Sequence, residues 1–199
     1  MAISVEDIKK LKELTGVGLT DAKQALVESE GDFDKALEAM RKKGLTKAEK
    51  KGDRETREGI IDSYVHSDRI GVVVEVNCET DFVARLPEFR EFAHQMAMQI
   101  AAMSPVYPTL EDVPADVYEA KKAELLASDA LQGKPADIAD KIVEGQLAKY
   151  FAEQTLTEQA FVLDDSITVG ERIKQQIAMN NENIRVSQFK RIELGVTSN

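Results

Sequence analysis

Few residues in this chain are equipped for bond chemistry, and their spacing does not assemble them. Cys78 is the only cysteine, and His66 and His94 are the only histidines. A single cysteine excludes an internal disulfide and a multi-cysteine metal cluster. Neither histidine belongs to a His-x-x-x-His or Cys-x-x-Cys spacing, so no metal site is expected. Cys78 lies between Asn77 and Glu79 with no basic neighbour to stabilise a thiolate, and reads as a small buried residue at a strand end. Gly16-Val17-Gly18 invites a phosphate-loop reading. The third glycine of a dinucleotide fingerprint is missing, however, no strand precedes it, and no Gly-Lys-Ser/Thr follows. A helix-to-helix turn is the better reading. No Gly-x-Ser-x-Gly elbow occurs, and carboxylates scattered over an acidic chain identify no acid/base pair. No catalytic residue and no cofactor are expected.

The charge balance narrows the partners. Lys+Arg number 26 against 36 Asp+Glu in 199 residues, a net charge of -10. Phosphate contacts need a basic footprint, so general nucleic-acid binding is not expected. An acidic chain is equally unsuited to an anionic membrane surface. No apolar run approaches the ~20 residues of a bilayer span. The opening Met1-Ala-Ile-Ser-Val-Glu-Asp has neither a basic region nor an apolar stretch after it, which points to a cytoplasmic protein.

Three short helices are predicted first. Ser4 can cap a helix with Val5, Ile8 and Leu11 on one face, ended by Gly16; Thr20 caps a second with Ala22, Ala25 and Leu26. Asp32 caps a third, with Phe33, Ala36, Leu37 and Met40 at helical spacing, ended by Gly44. From Arg41 to Arg57, eight basic residues stand against three acidic ones, and Leu45 is the only large apolar residue. That stretch reads as a solvated linker, helical in part, with a domain boundary near Asp53. It could also hold RNA, although no aromatic residue is interleaved to stack bases.

A hairpin follows. Ile61, Ser63 and Val65 alternate with Asp62, Tyr64 and His66; Ser67-Asp68 supplies the turn; and Ile70, Val72, Val74 and Val76 share one face of the return strand. Phe89, Phe92, Ala93, Met96, Ala97, Ile100 and Ala101 define a strongly amphipathic helix. Further helices are expected over 115–127, over 135–151 and around Val169, Ile173 and Ile177. A last strand over 184–194 slips in parity between Val186, Phe189 and Ile192, which signals a bulge. The fold class is α+β: a three-helix unit over 1–53, then a small antiparallel sheet packed with helices over 54–199.

Leu11-Lys-Glu-Leu-Thr-Gly-Val-Gly-Leu-Thr-Asp-Ala-Lys-Gln-Ala-Leu26 and Gly31 to Gly44 resemble the opening of the bacterial elongation factor Ts family. Glu75-Val-Asn-Cys-Glu-Thr-Asp-Phe-Val-Ala84 is a highly specific signature of the same family. Gly133-Lys-Pro135, Ile142-Val-Glu-Gly145 and Gln159-Ala-Phe-Val162 extend the resemblance over almost the whole chain, in order. It implies a guanine nucleotide exchange factor for elongation factor Tu that breaks and makes no bonds, with an N-terminal ubiquitin-associated-like three-helix domain. A single Thr-Asp-Phe-Val indicates the short form, which implies a homodimer. The resemblance assigns Thr80, Asp81, Phe82 and Val83 to dislodging magnesium from the partner, and Leu11, Thr15, Gly16, Val17, Gly18 and Asp21 to docking. A ubiquitin-binding adaptor could open on the same three helices, but would not carry the Cys78 to Val83 signature. On residue pattern alone Phe82 reads as a core aromatic starting a helix; the resemblance makes it an exposed wedge. Tyr150, Phe151 and Phe161 are expected either in the core or, incompletely buried, at a dimer interface.

Overall fold

Local signals set the first helices. In the computed structural model, which describes residues 3–15, 18–128 and 135–196, the Ser4 hydroxyl accepts the Asp7 amide at 3.0 Å and starts α1 (Val5–Thr15). Helix α2 (Leu19–Glu28) begins on Gly18 rather than on Thr20, two residues earlier than expected, because the Gly18 carbonyl already accepts the Ala22 amide. Asp32 caps α3 (Phe33–Glu49) through the Lys35 amide at 3.1 Å. Leu11, Ala22, Ala25, Leu26, Ala36 and Met40 are buried together, with Ile3, Ile8, Phe33 and Leu37 packed against them. Val5 points to solvent instead of joining that face, and Ile3 takes its place. Gly16 and Val17 lie outside the described residues, as do Gly133 and Lys134.

Helix α3 does not end at Gly44. A Cβ at that position would sit 3.5 Å from the Cβ of Ala178, in ordinary van der Waals contact, so the helix packs on another element here instead of stopping. Ala48, one turn on, is buried. The basic stretch is therefore helical to Glu49, and its Lys51 is buried and bonded rather than solvated. Its ammonium donates to the Asn181 carbonyl at 2.6 Å and to the Asn181 side-chain oxygen. A run of charges marks a solvated face only while no partner element reaches it.

Strands β1 (Glu58–His66) and β2 (Ile70–Cys78) form the hairpin, with Ser67 and Asp68 both at positive φ in a turn closed by the Arg69 amide donating to the His66 carbonyl at 3.0 Å. Gly59, at φ 152°, is a close-approach glycine, since a Cβ there would meet the Val76 carbonyl oxygen at 2.2 Å. Strand β5 (Arg185–Glu193) pairs antiparallel on the other edge of β2, giving the order β1-β2-β5. Val76 faces Val186 and Glu75 faces Gln188, so Ser187 is the extra residue of the bulge. Val72, Val74 and Val76 turn inward, as does the whole apolar stripe of α5 (Pro87–Met103) from Phe89 to Ala101. Val169, Ile173 and Ile177 of α8 (Val169–Asn180) are buried as well.

The chain divides into two compact units, one of Met1–Ala101 with Glu171–Asn199, the other of Ala102–Gly170. In the second, α6 (Ala115–Leu126) and α7 (Ala136–Gln154) pack around Val143, Leu147 and Phe151. Tyr118 stacks on Phe151 with centroids 5.3 Å apart. A small ribbon of β3 (Ala160–Phe161) and β4 (Asp164–Thr168), not anticipated from the sequence, completes it. Phe151 and Phe161 are buried and therefore core residues, while Tyr150 is half-buried. The architecture is α+β. No described helix is long and apolar enough to cross a membrane.

Candidate functional site

Strand β2 ends at Cys78, whose thiol is buried and donates to the Thr80 carbonyl at 3.1 Å. Burial, with the Glu182 carboxylate nearby as the next cause, pushes that thiol up to about 11, which leaves it neutral and unreactive. Thr80 then caps the one-turn helix α4 (Asp81–Ala84), its hydroxyl oxygen accepting the Val83 amide at 3.5 Å. Successive side chains on a helix point about 100° apart. Val83 and Ala84 are buried, and Phe82 is thereby turned outward, 78% exposed. Asp81 pairs with Arg85 one turn on, at 2.7 Å.

The turn is braced from a distant loop. Glu182 accepts the amides of Glu79 and Thr80 at 3.1 and 3.0 Å, and the Thr80 hydroxyl at 2.6 Å. Glu79 in turn accepts the Asn183 amide at 2.6 Å and lies 3.4 Å from the Arg54 guanidinium. The Asn183 side chain donates to the carbonyls of Gly52 and Arg54 at 3.0 and 2.7 Å. Sequence reasoning missed Glu182, Asn183 and Arg85. Asn180-Asn-Glu-Asn183 reads only as a loop, and no sequence signal pairs residues about a hundred positions apart.

The N-terminal set splits in two. Leu11 is fully buried in the three-helix cluster, and the buried Thr15 hydroxyl donates to the Leu11 carbonyl one turn back in α1 at 2.5 Å, so both side chains face inward. Gly18 is exposed at the start of α2, and the half-buried Asp21 lies 3.8 Å from Lys43. Leu14 and Leu19 stand exposed beside them. The histidines have separate hydrogen-bond partners, His94 on Asp62 at 2.8 Å and His66 on the Tyr64 hydroxyl at 2.9 Å, while both rings lie against Tyr64, with centroids 5.6 and 5.9 Å away. Among the described residues no group of three His, Cys, Asp or Glu could hold a metal ion.

Fold and site define an α+β protein with a braced, exposed aromatic tip. The family model for elongation factor Ts matches residues 5–196. The chain is 53% identical over 196 residues to an elongation factor Ts of Thermotoga petrophila, covering 98% of each chain. It is 50% identical to that of Fervidobacterium nodosum, covering 98% of this chain and 100% of the relative. With that of Thermodesulfovibrio yellowstonii it shares 47%, over 99% of this chain and 98% of the relative. The chain belongs to the elongation factor Ts family. Its role is that of the family, nucleotide exchange on elongation factor Tu during translation elongation.

Proposed function

We propose that the Thr80–Val83 turn is the part of this chain that acts in exchange, with Phe82 entering elongation factor Tu near its bound magnesium and displacing the ion. The observation that carries this reading is the 78% exposure of a phenyl ring on a turn whose neighbours are buried and braced. Magnesium demands near-ideal octahedral geometry, so a small displacement of one coordinating element loosens the phosphates it holds. The coupling is reciprocal: a chain that weakens GDP binding is itself bound more weakly by the GDP-loaded partner. A 10⁴-fold shift between two states corresponds to about 5.5 kcal/mol of differential binding. No bond is made or broken by this chain, and it needs no cofactor or metal of its own.

Residues 1–53 serve as the docking part and 54–199 as the exchange part. The docking face is formed by Gly18 and Asp21 with the exposed Leu14 and Leu19, while Leu11 and Thr15 support it from beneath. The chain pairs as a homodimer through the open face of its sheet. Ile61, Val65, Val73 and Ile192 are all exposed, and the register Ser63↔Val73, Val65↔Gly71 and Gly71↔Ile192 places them on one face. Four exposed apolar side chains on one sheet face, with Ser63, Glu75 and Lys190 between them, are a surface that a second copy can meet with the same residues in return. Its place is the cytoplasm, without direct contacts to nucleic acid or membrane. The burial of Lys51 further weakens the RNA alternative for the basic stretch. Release of fluorescent GDP from elongation factor Tu, with the parent chain and with Phe82→Ala, tests the reading.

A further inference from the structure

Glu182 lies in the short loop between α8 and β5, 102 residues from the threonine it binds. Three donors converge on its carboxylate: the Glu79 amide at 3.1 Å, the Thr80 amide at 3.0 Å and the Thr80 hydroxyl at 2.6 Å. Hydrogen bonds to an ionised acceptor are about twice as strong as neutral ones. The hydroxyl bond also sets a direction. With its hydrogen committed to Glu182, the Thr80 oxygen turns a lone pair to the Val83 amide and so fixes where α4 begins. The loop that carries Glu182 is itself held on both sides. Lys51 donates to the Asn181 carbonyl at 2.6 Å, and Asn183 donates to the carbonyls of Gly52 and Arg54. A single turn of helix has too few internal hydrogen bonds to keep its own shape. The stiffness of the tip therefore has to come from outside it.

We propose that Glu182 is a positioning residue for exchange, a carboxylate that fixes the direction in which the Asp81–Phe82 tip leaves the core. The inference rests on the reading of Phe82 as the acting group. A side chain that must displace a coordinating element by a small distance works only if its own support does not yield. A misplacement of about 1 Å in such a constellation costs on the order of 10²-fold in rate.

The test is the saturating rate and the half-saturating concentration of GDP release from elongation factor Tu, with a melting curve for every variant. Glu182→Ala is expected to lower the saturating rate about tenfold to a hundredfold with the half-saturating concentration nearly unchanged. Glu182→Gln retains a carbonyl oxygen for the two amides but presents an amide donor where the threonine hydroxyl needs an acceptor, and is expected to restore part of the rate. Glu182→Asp keeps the charge but is one methylene short, and is expected to behave like Glu182→Ala; it replaces that variant if the alanine chain does not fold. In a Phe82→Ala background, Glu182→Ala is expected to add almost nothing, because the group it positions is gone. A merely structural role would lower melting and exchange in both backgrounds alike, with no rescue by glutamine, and that result overturns the proposal. So does a full saturating rate in both Glu182→Ala and Glu182→Asp. If Phe82→Ala slows exchange while the Glu182 variants do not, only this inference fails. If Phe82→Ala exchanges at the parent rate, the reading of the tip fails and takes this proposal with it.

Discussion

The Asp81 carboxylate lies 2.7 Å from the Arg85 guanidinium across the single turn of α4, beside the exposed ring of Phe82. Arg85 is largely in water and Asp81 is half-buried, and i,i+4 pairs at a surface contribute only about 0.3–0.5 kcal/mol. The pair is too weak to orient the tip. Asp81→Ala is therefore expected to leave unfolding free energy within about 0.5 kcal/mol while lowering exchange, as a carboxylate proposed to meet the partner requires. Arg85→Ala should match it in stability and spare exchange. An equal loss of exchange in both variants would assign Asp81 to orientation through the pair instead.

Leu11 and Leu14 separate packing from docking. Leu11 is fully enclosed, so Leu11→Ala should cost about 2–5 kcal/mol of stability in the helical cluster. Leu14→Ala and Leu19→Ala remove exposed side chains and should change stability by no more than about 0.5 kcal/mol. Their expected effect is a higher half-saturating concentration for elongation factor Tu. Titration of exchange rate against chain concentration checks this, and unchanged half-saturation in the double variant would move the docking face elsewhere.

The raised Cys78 thiol has a pH consequence with a definite sign. Its ordinary value is 9.0 and the folded value about 11, so folding favours the neutral form. That contribution is complete below pH 9 and is lost as pH rises through 11. Urea unfolding of the parent and of Cys78→Ala should therefore converge across this interval, with the parent falling more steeply. At pH 8 a thiol reagent should label the denatured chain and spare the native one. Fast labelling of the folded protein would contradict the burial of this side chain.

The open sheet face offers a direct test of pairing. Val73→Lys places a charge in the middle of the exposed patch, opposite Ser63 and Lys190. Light scattering at micromolar concentration is expected to give twice the chain mass for the parent and the single-chain mass for Val73→Lys. A parent that remains at the monomer mass would remove the homodimer.

Much of the fold was legible because the apolar periodicities were long. The stripe from Phe89 to Ala101 and the alternation of Val72, Val74 and Val76 each left one way to face a core, and the slip at Val186 and Phe189 located the bulge at Ser187. Gly44 misled because its meaning depends on Ala178, more than a hundred residues away; locally it reads as a stop, in the fold as a packing contact. Lys51 misled for the same reason, its partner being Asn181. The tip motif was visible in sequence only through its family resemblance. Residue pattern alone favoured Phe82 as a core aromatic, and only the burial of Val83 and Ala84 turns it outward. Its brace at Glu182 was invisible, since a glutamate in a polar loop carries no signal until its donors arrive from another strand.

The most direct measurement of the central claim compares Phe82→Ala with the parent in fluorescent GDP release from elongation factor Tu, alongside the unfolding of both chains. With the ring 78% exposed, unfolding free energies are expected within about 0.5 kcal/mol of each other and exchange lowered at least about tenfold. A variant that loses the ~3–5 kcal/mol of a truncated core aromatic, yet exchanges normally per folded molecule, would contradict it.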